Sequence, residues 1–118
     1  MLLLGTSAAI ADSGPHGDVA AIRKVLTHGG KCPQSVLNVA VSGAYALATT
    51  LQRGACDVGF VTVLKRNGST WKMTGGVGGV PDACTVHSQG VPLTVASTLV
   101  RKLTGTNNPS LVSTSACK

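Results

Sequence analysis

Alternating apolar and polar positions between residues 60 and 73 predict a β-hairpin. The two runs meet at Asn67 and Gly68, a dipeptide that is typical of two-residue type I′ turns. A turn centred on these two residues places Leu64 opposite Trp71 in the ladder. We therefore expect Leu64 and Trp71 to share one face of the sheet and to form part of the core.

The same register distributes the other hairpin side chains between the two faces. Thr62 and Met73 join Leu64 and Trp71 on the face that is predicted to be buried. The second face carries polar or charged side chains and two valines, namely Val61, Val63, Lys65, Thr70, Lys72 and Thr74. Because an antiparallel sheet commonly packs one face on a core, we expect this second face to be mostly wet.

Two more alternating runs precede the hairpin and complete a four-stranded antiparallel meander. The four predicted strands cover residues 36–41, 45–51, 58–65 and 69–75. The glycine-rich segment 74–81 is expected to end the sheet as a loop, where small residues let the last strand cross a helix without a clash. This segment lacks the Gly-Lys-Ser/Thr and the following helix of a phosphate-binding loop.

Helical spacing of apolar residues predicts one helix on each side of the sheet. Residues 19–28 form the first helix, with Asp18 as its N-cap and Gly29-Gly30 after its end. The second helix begins with Val91-Pro92 and is stopped by Gly105. The polar residues 82–90 are expected to be a loop. The fold class is therefore α+β, with an N-terminal helix, a four-stranded antiparallel meander and a C-terminal helix.

The length of 118 residues suits a single domain. The apolar run 1–11 ends in Ala9-Ile10-Ala11, a small-x-small pattern that is typical of signal-peptide cleavage. The run has no basic start, so an apolar N-terminal strand or tail is the alternative. We expect a signal peptide over 1–11, a flexible lead over 12–17 and one α+β domain over 18–118, with a Ser/Thr-rich tail over 105–118. No segment is apolar for long enough to span a bilayer.

Four cysteines, Cys32, Cys56, Cys84 and Cys117, occur without any Cys-x-x-Cys spacing. In a secreted chain, this pattern favours two disulfides over a zinc site. Three connectivities are open. The strand order favours Cys56–Cys84, because those residues follow and precede adjacent strands, and it leaves Cys32–Cys117. If the N-terminal run is not a signal peptide, the alternative is a cytosolic protein in which the four cysteines are unrelated buried thiols.

Ten Lys and Arg against four acids give a net charge of +6 and a pI near 9.6. The basic pairs Arg23-Lys24, Lys65-Arg66 and Arg101-Lys102 each lie at the end of a predicted element, where solvation explains them. Aromatic interleaving and nucleic-acid-binding motifs are missing, so nucleic acid is not an expected partner. A protein or an anionic envelope polymer stays open as a partner.

Candidate catalytic groups are few. His16 lies in the flexible lead and His28 at the end of a predicted helix, where a cation suits the helix dipole. His87 lies close in sequence to Asp82, Thr85 and Ser88, but no Gly-x-Ser-x-Gly elbow surrounds a serine. The four acids are all Asp and form no plausible catalytic or metal-binding pair. We assign no catalytic, cofactor-binding or metal-ligating residue, and a non-enzymatic role is preferred.

The order of elements resembles that of small, uncharacterised secreted bacterial proteins with a cystatin-like or NTF2-like roll. The resemblance is carried by Tyr45-Ala46-Leu47-Ala48, residues 63–73, the Gly-Gly-Val-Gly-Gly segment and Gly90-Val91-Pro92. It covers residues 18–104 and implies a helix packed in a curved antiparallel sheet, but no site residues. Protease inhibition is not implied, because residues 39–43 lack the Gln-x-Val-x-Gly motif of cystatins.

Taken together, these patterns predict a secreted or periplasmic non-enzymatic module that binds a protein, an envelope polymer or a small ligand. The alternative is a small-molecule-binding or enzymatic roll with a pocket between sheet and helix. A filled core around Trp71 would favour the first function. An open apolar cavity with His87 or Asp82 at its mouth would favour the second.

Overall fold

The computed structural model describes residues 12–27, 34–52, 59–115 and 117. Its elements are α1 (His16–Thr27), β1 (Gln34–Ser42), β2 (Tyr45–Gln52), β3 (Gly59–Asn67), β4 (Thr70–Gly78), α2 (Ala83–Ser88), α3 (Leu93–Thr104) and α4 (Pro109–Val112). The strands form one antiparallel sheet in the order β1-β2-β3-β4. The predicted α+β class and meander are confirmed. No helix among the described residues is long and apolar enough to cross a membrane.

The sheet is covered by helices on both faces. The core on the α1 side consists of Val19, Ile22, Leu26, Val39, Val41, Ala46, Ala48, Leu64 and Trp71. The core on the opposite side joins the sheet to α2 and α3 and consists of Ala40, Leu47, Val61, Val63, Val77, Val86, Val91, Ala96, Leu99, Val100 and Leu103. On the second face of the hairpin, Lys65, Thr70, Lys72 and Thr74 are exposed as predicted, and the face is wet only toward the turn. Val61 and Val63, on the same face, are buried in the core shared with α3.

The hairpin turn lies one residue later than predicted. Asn67 pairs with Thr70, so Gly68 and Ser69 are the central residues, and Gly68 takes the positive φ of 68° that such a turn needs. Trp71 consequently lies opposite Arg66 instead of Leu64. The side chains of residues 60–73 nevertheless stay on their predicted faces. Moving the turn by one residue moves each ladder partner by two residues, and residues two apart in a strand share a face.

Three of the four side chains that were predicted to lie on the buried face of the hairpin are buried. Leu64 and Trp71 are buried as predicted, and Thr62 is buried as well. Met73 pairs with Leu64 instead of Thr62, and it is 47% exposed on β4, an edge strand of the sheet. The prediction that Met73 belongs to the core is therefore wrong.

Two bulges adjust the edge strands. Leu37 is the extra residue of β1, where it is 58% exposed, and the following Asn38 points to the other face and donates to the carbonyl of Leu103 at 3.0 Å. Thr74 is the extra residue of β4, which continues to Gly78 and takes in part of the predicted loop over 74–81. After this bulge, Gly75 faces the side chain of Gln89 so closely that a Cβ would overlap it.

The N-terminal lead is part of the structure. Ser13 forms a parallel bridge with Ala40, donating to the carbonyl of Val39 at 2.8 Å and accepting from the amide of Val41 at 2.7 Å. α1 then begins at His16, three residues earlier than predicted, so Asp18 lies in its first turn and is not its N-cap. The predicted stop at Gly29-Gly30 and the signal peptide over 1–11 lie outside the described residues.

The segment predicted as a polar loop contains α2. Asp82 caps this helix by accepting from the amide of Thr85 at 2.8 Å, which satisfies one of the free amides of its first turn. α3 occupies residues 93–104 and so begins later than predicted, because Pro92 is its N-cap and not part of its first turn. Gly105 ends it as predicted, with a φ of 72°.

The C-terminal tail returns along α3. It forms α4, and Ser97 of α3 donates its hydroxyl to the carbonyl of Val112 at 2.6 Å. A disulfide joins Cys84 in α2 to Cys117. This bond overturns both predicted pairings, Cys56–Cys84 and Cys32–Cys117, because the tail reaches α2 and not the first strand. Cys32 and Cys56 lie outside the described residues.

Candidate functional site

The candidate catalytic residues His87, Ser88 and Asp82 form hydrogen bonds that stabilise the local structure around α2. The Nδ1 atom of His87 donates to the carbonyl of Val91 at 2.7 Å, which leaves Nε2 to accept in the neutral ring. Ser88 donates its hydroxyl to the carbonyl of Thr85, and both carboxylate oxygens of Asp82 accept from the hydroxyl of Thr85 at 3.0 Å. These side chains therefore form no nucleophile, base and acid relay.

Trp71 fills the core beside α1. Its side chain is 3% exposed and packs with Leu64 and the buried face of α1. The indole therefore occupies the space in which a pocket between helix and sheet would have to lie. His87 and Asp82 line neither of the two cavities described next.

Basic side chains gather at one end of the sheet, which we call the turn end. It carries both tight turns, β1–β2 at 43–44 and β3–β4 at 68–69. Lys65, Arg66 and Lys72 lie beside the β3–β4 turn. Lys102, in the last turn of α3, reaches the same end of the sheet at β1, since its Nζ donates to the carbonyl of Val41 at 2.9 Å.

The first cavity at the turn end is a groove on the β3–β4 hairpin. It encloses about 270 Å³ and is lined by Lys65, Asn67, Lys72 and Thr74. Lys65 and Lys72 are directly opposite each other in the ladder, so both ammonium groups project from the same face. The Nζ of Lys65 lies 5.8 Å from the ring centroid of Tyr45, which holds that ammonium by a cation–π contact.

The second cavity is an open cleft of about 420 Å³ between the start of α1, the β1–β2 turn and the end of α3. It is lined by Gly14, Pro15, Asp18, Val41, Ser42, Gly43, Arg66 and Lys102. Arg66 lies 3.5 Å from a carboxylate oxygen of Asp18, and its guanidinium lies 5.7 Å from the ring centroid of Trp71.

The acids of the described residues are already engaged. Asp12 pairs with Arg23 at 2.9 Å, Asp18 pairs with Arg66, and Asp82 caps α2. Within residues 12–27, 34–52 and 59–115, no carboxylate therefore forms an ion pair with Lys65, Lys72 or Lys102. The turn end is a positively charged surface with four cations and one described acid, Asp18.

This surface was only partly visible in the sequence. The sequence shows Lys65-Arg66 and Arg101-Lys102 as basic pairs, but solvation at the end of its own element is enough to account for each of them. The pattern that could have joined Lys65 to Lys72 is their near-symmetric position about the hairpin turn. Lys102 could not be added, because no pattern fixes the direction of α3 across the sheet.

The described residues contain no cluster of metal-binding side chains. Comparison of the chain with protein-family models, curated proteins and solved structures found no match. The cystatin-like or NTF2-like resemblance consequently stays a prediction from the sequence, and function has to be argued from the surface itself.

Proposed function

We propose that this chain is a secreted or periplasmic, non-enzymatic module that binds an anionic polymer of the cell envelope at its turn end. The observation that carries the proposal is the facing pair Lys65 and Lys72. Like charges directly opposite each other destabilise a sheet, and here no described carboxylate relieves them. An anionic chain that lies across the hairpin would neutralise both ammonium groups. The relief of their mutual repulsion would then add to the free energy of binding.

A non-enzymatic role is supported by the core and by the candidate catalytic groups. Trp71 closes the space between α1 and the sheet. His87 and Asp82 are held by neighbouring groups of the chain, and neither residue lines the cleft or the hairpin groove. The enzymatic alternative, with a pocket between sheet and helix, is therefore disfavoured.

A location outside the cytoplasm is supported by the Cys84–Cys117 disulfide. Such bonds persist in oxidising compartments and are rare in the cytosol. Envelope polymers that carry phosphate or carboxylate groups are available to a protein in that location. The net charge of +6 would also attract these polymers over distances up to the Debye length, which is about 8 Å at physiological ionic strength.

The decisive experiment measures binding of the oxidised chain to purified poly(glycerol phosphate), with an uncharged glucan as the comparison polymer. We expect binding to the phosphate polymer alone, with an affinity that falls steeply as salt rises. Lys72→Gln should weaken this binding at least about threefold and lower the salt slope by about one.

Lys24→Gln is the matched control, because it removes the same charge from the exposed side of α1. If Lys24→Gln weakens binding as much as Lys72→Gln, only net charge matters and the assigned groove is wrong. Absence of binding to the phosphate polymer at low salt, or equal binding to the glucan, would overturn the proposal. Preferential binding to an acidic protein would replace the polymer by a protein partner.

A further inference from the structure

The cleft between α1 and α3 has the features of a pocket for one small anionic group. Its volume of about 420 Å³ falls within the range of small-molecule pockets, about 300 to 1,000 Å³. Its two cations come from different elements, Arg66 from β3 and Lys102 from α3. A ligand in the cleft would therefore be contacted from two sides.

Both cations keep hydrogen-bond donors for a ligand. Arg66 meets Asp18 through Nη1 at 3.5 Å, longer than the 2.7 to 2.9 Å of a close charge-assisted bond, and a guanidinium has further N–H groups. Lys102 gives one of its N–H groups to the neutral carbonyl of Val41, so its charge is not balanced by a carboxylate among the described residues. With Asp18 included, the cleft carries a net positive charge.

The two cations are also held in place before any ligand arrives. The Arg66 guanidinium lies beside the buried Trp71, and the amide of Arg66 donates to the carbonyl of Ala44 at 2.7 Å, which ties β3 to the β1–β2 turn. Lys102 is anchored at 2.9 Å by Val41. Side chains that are already ordered lose less conformational entropy on binding.

We propose that this cleft binds the phosphoryl group of a small phosphomonoester. A tetrahedral dianion presents oxygens in several directions and can reach Arg66 and Lys102 together, whereas the planar carboxylate is matched by a single guanidinium. Ser42 and Gly43 also line the cleft, and we assign the polar contacts to the ester to these two residues. This site is separate from the Lys65 and Lys72 groove, and it does not depend on polymer binding there.

The test titrates the oxidised full chain with inorganic phosphate and with glycerol 3-phosphate, following backbone amide resonances by NMR, with acetate as the carboxylate arm. We expect saturable shifts at Ser42, Gly43 and the start of α1 with both phosphates, and at least tenfold weaker binding of acetate. Binding should strengthen as pH rises through about 6, where a phosphomonoester acquires its second charge.

Variants separate this site from the polymer groove. Arg66→Gln and Lys102→Gln should each weaken phosphate binding at least tenfold, and Lys102→Arg should restore most of it. Lys72→Gln should leave it unchanged. Equal binding of acetate, an equal loss in Lys72→Gln, or no saturable shift would overturn the proposal. Each variant's amide spectrum without ligand reports whether it is folded. If Lys102→Gln is not folded, Arg66→Gln tests the contribution of the cleft's cations instead.

Discussion

Thr62 is expected to limit the stability of the sheet. Its side chain is 3% exposed on the α1 side of β3, and its Oγ1 has no hydrogen-bond partner among the described residues. A buried hydroxyl without a partner costs about 1 to 3 kcal/mol. Thr62→Val replaces that hydroxyl by a methyl group of nearly the same shape and keeps the β-branch that favours a strand.

The expected gain is therefore about 1 kcal/mol or more, which raises Tm by about 4 °C for a chain of this length. Urea unfolding of the oxidised protein measures it as a higher midpoint with an unchanged m-value. Thr50→Val is the matched control, because Thr50 is 1% exposed on the adjacent strand and, unlike Thr62, is not left without a partner. We expect Thr50→Val to destabilise the fold by about 1 kcal/mol. If Thr62→Val lowers the midpoint as much as Thr50→Val, the hydroxyl of Thr62 is satisfied and the reasoning fails.

Two further predictions concern the C-terminal tail and the N-terminal lead. Removing the disulfide with Cys84→Ser and Cys117→Ser together opens a loop of 33 residues, which costs about 4 kcal/mol in the chain-entropy model and should lower Tm by more than about 10 °C. Calorimetry that finds Tm unchanged in an oxidised sample would contradict the pairing. Gly14→Ala should destabilise by about 2 kcal/mol or more, because the backbone there has a φ of 148° and a Cβ would lie 2.7 Å from a valine Cβ of β1. Gly17→Ala, in α1 with open space around it, should instead stabilise by about 0.5 to 1 kcal/mol, and denaturant titration of both variants compares them directly.

The parts of the fold that follow from local pattern could be predicted, whereas those that depend on packing between elements could not. The order of four strands and the end of α3 follow from alternation, helical spacing and Gly105. The predicted hairpin turn was one residue too early because Asn67-Gly68 and Gly68-Ser69 both supply a glycine for a tight turn. The structure uses the second, in which Gly68 has a φ of 68°.

Two errors had signals that were present in the sequence. The run from Val61 to Leu64 has three apolar residues in four, a density typical of strands that are buried on both faces. α2 is only six residues long, too short to show a periodicity, but Asp82 followed three positions later by Thr85 is a capping pattern. The disulfide partner of Cys84 had no comparable signal, because it depends on where the tail packs.

The candidate site was the least predictable part. Lys65 and Lys72 could have been paired from the hairpin, since the corrected register changes their neighbours but not their common face. The cleft needs three separate segments, the start of α1, the β1–β2 turn and the end of α3. No local pattern brings those segments together, because their contacts are made only when both faces of the sheet are covered.

The short bridge at Ser13 has a consequence for self-association. It occupies the outer side of β1, so strand addition by another molecule is left with β4, at the other margin of the sheet. If two copies pair through β4, neither copy has a second unpaired edge strand for further strand addition. Native molecules of this kind can form closed pairs by strand addition, but growth into a fibril would first require the N-terminal segment to detach from β1.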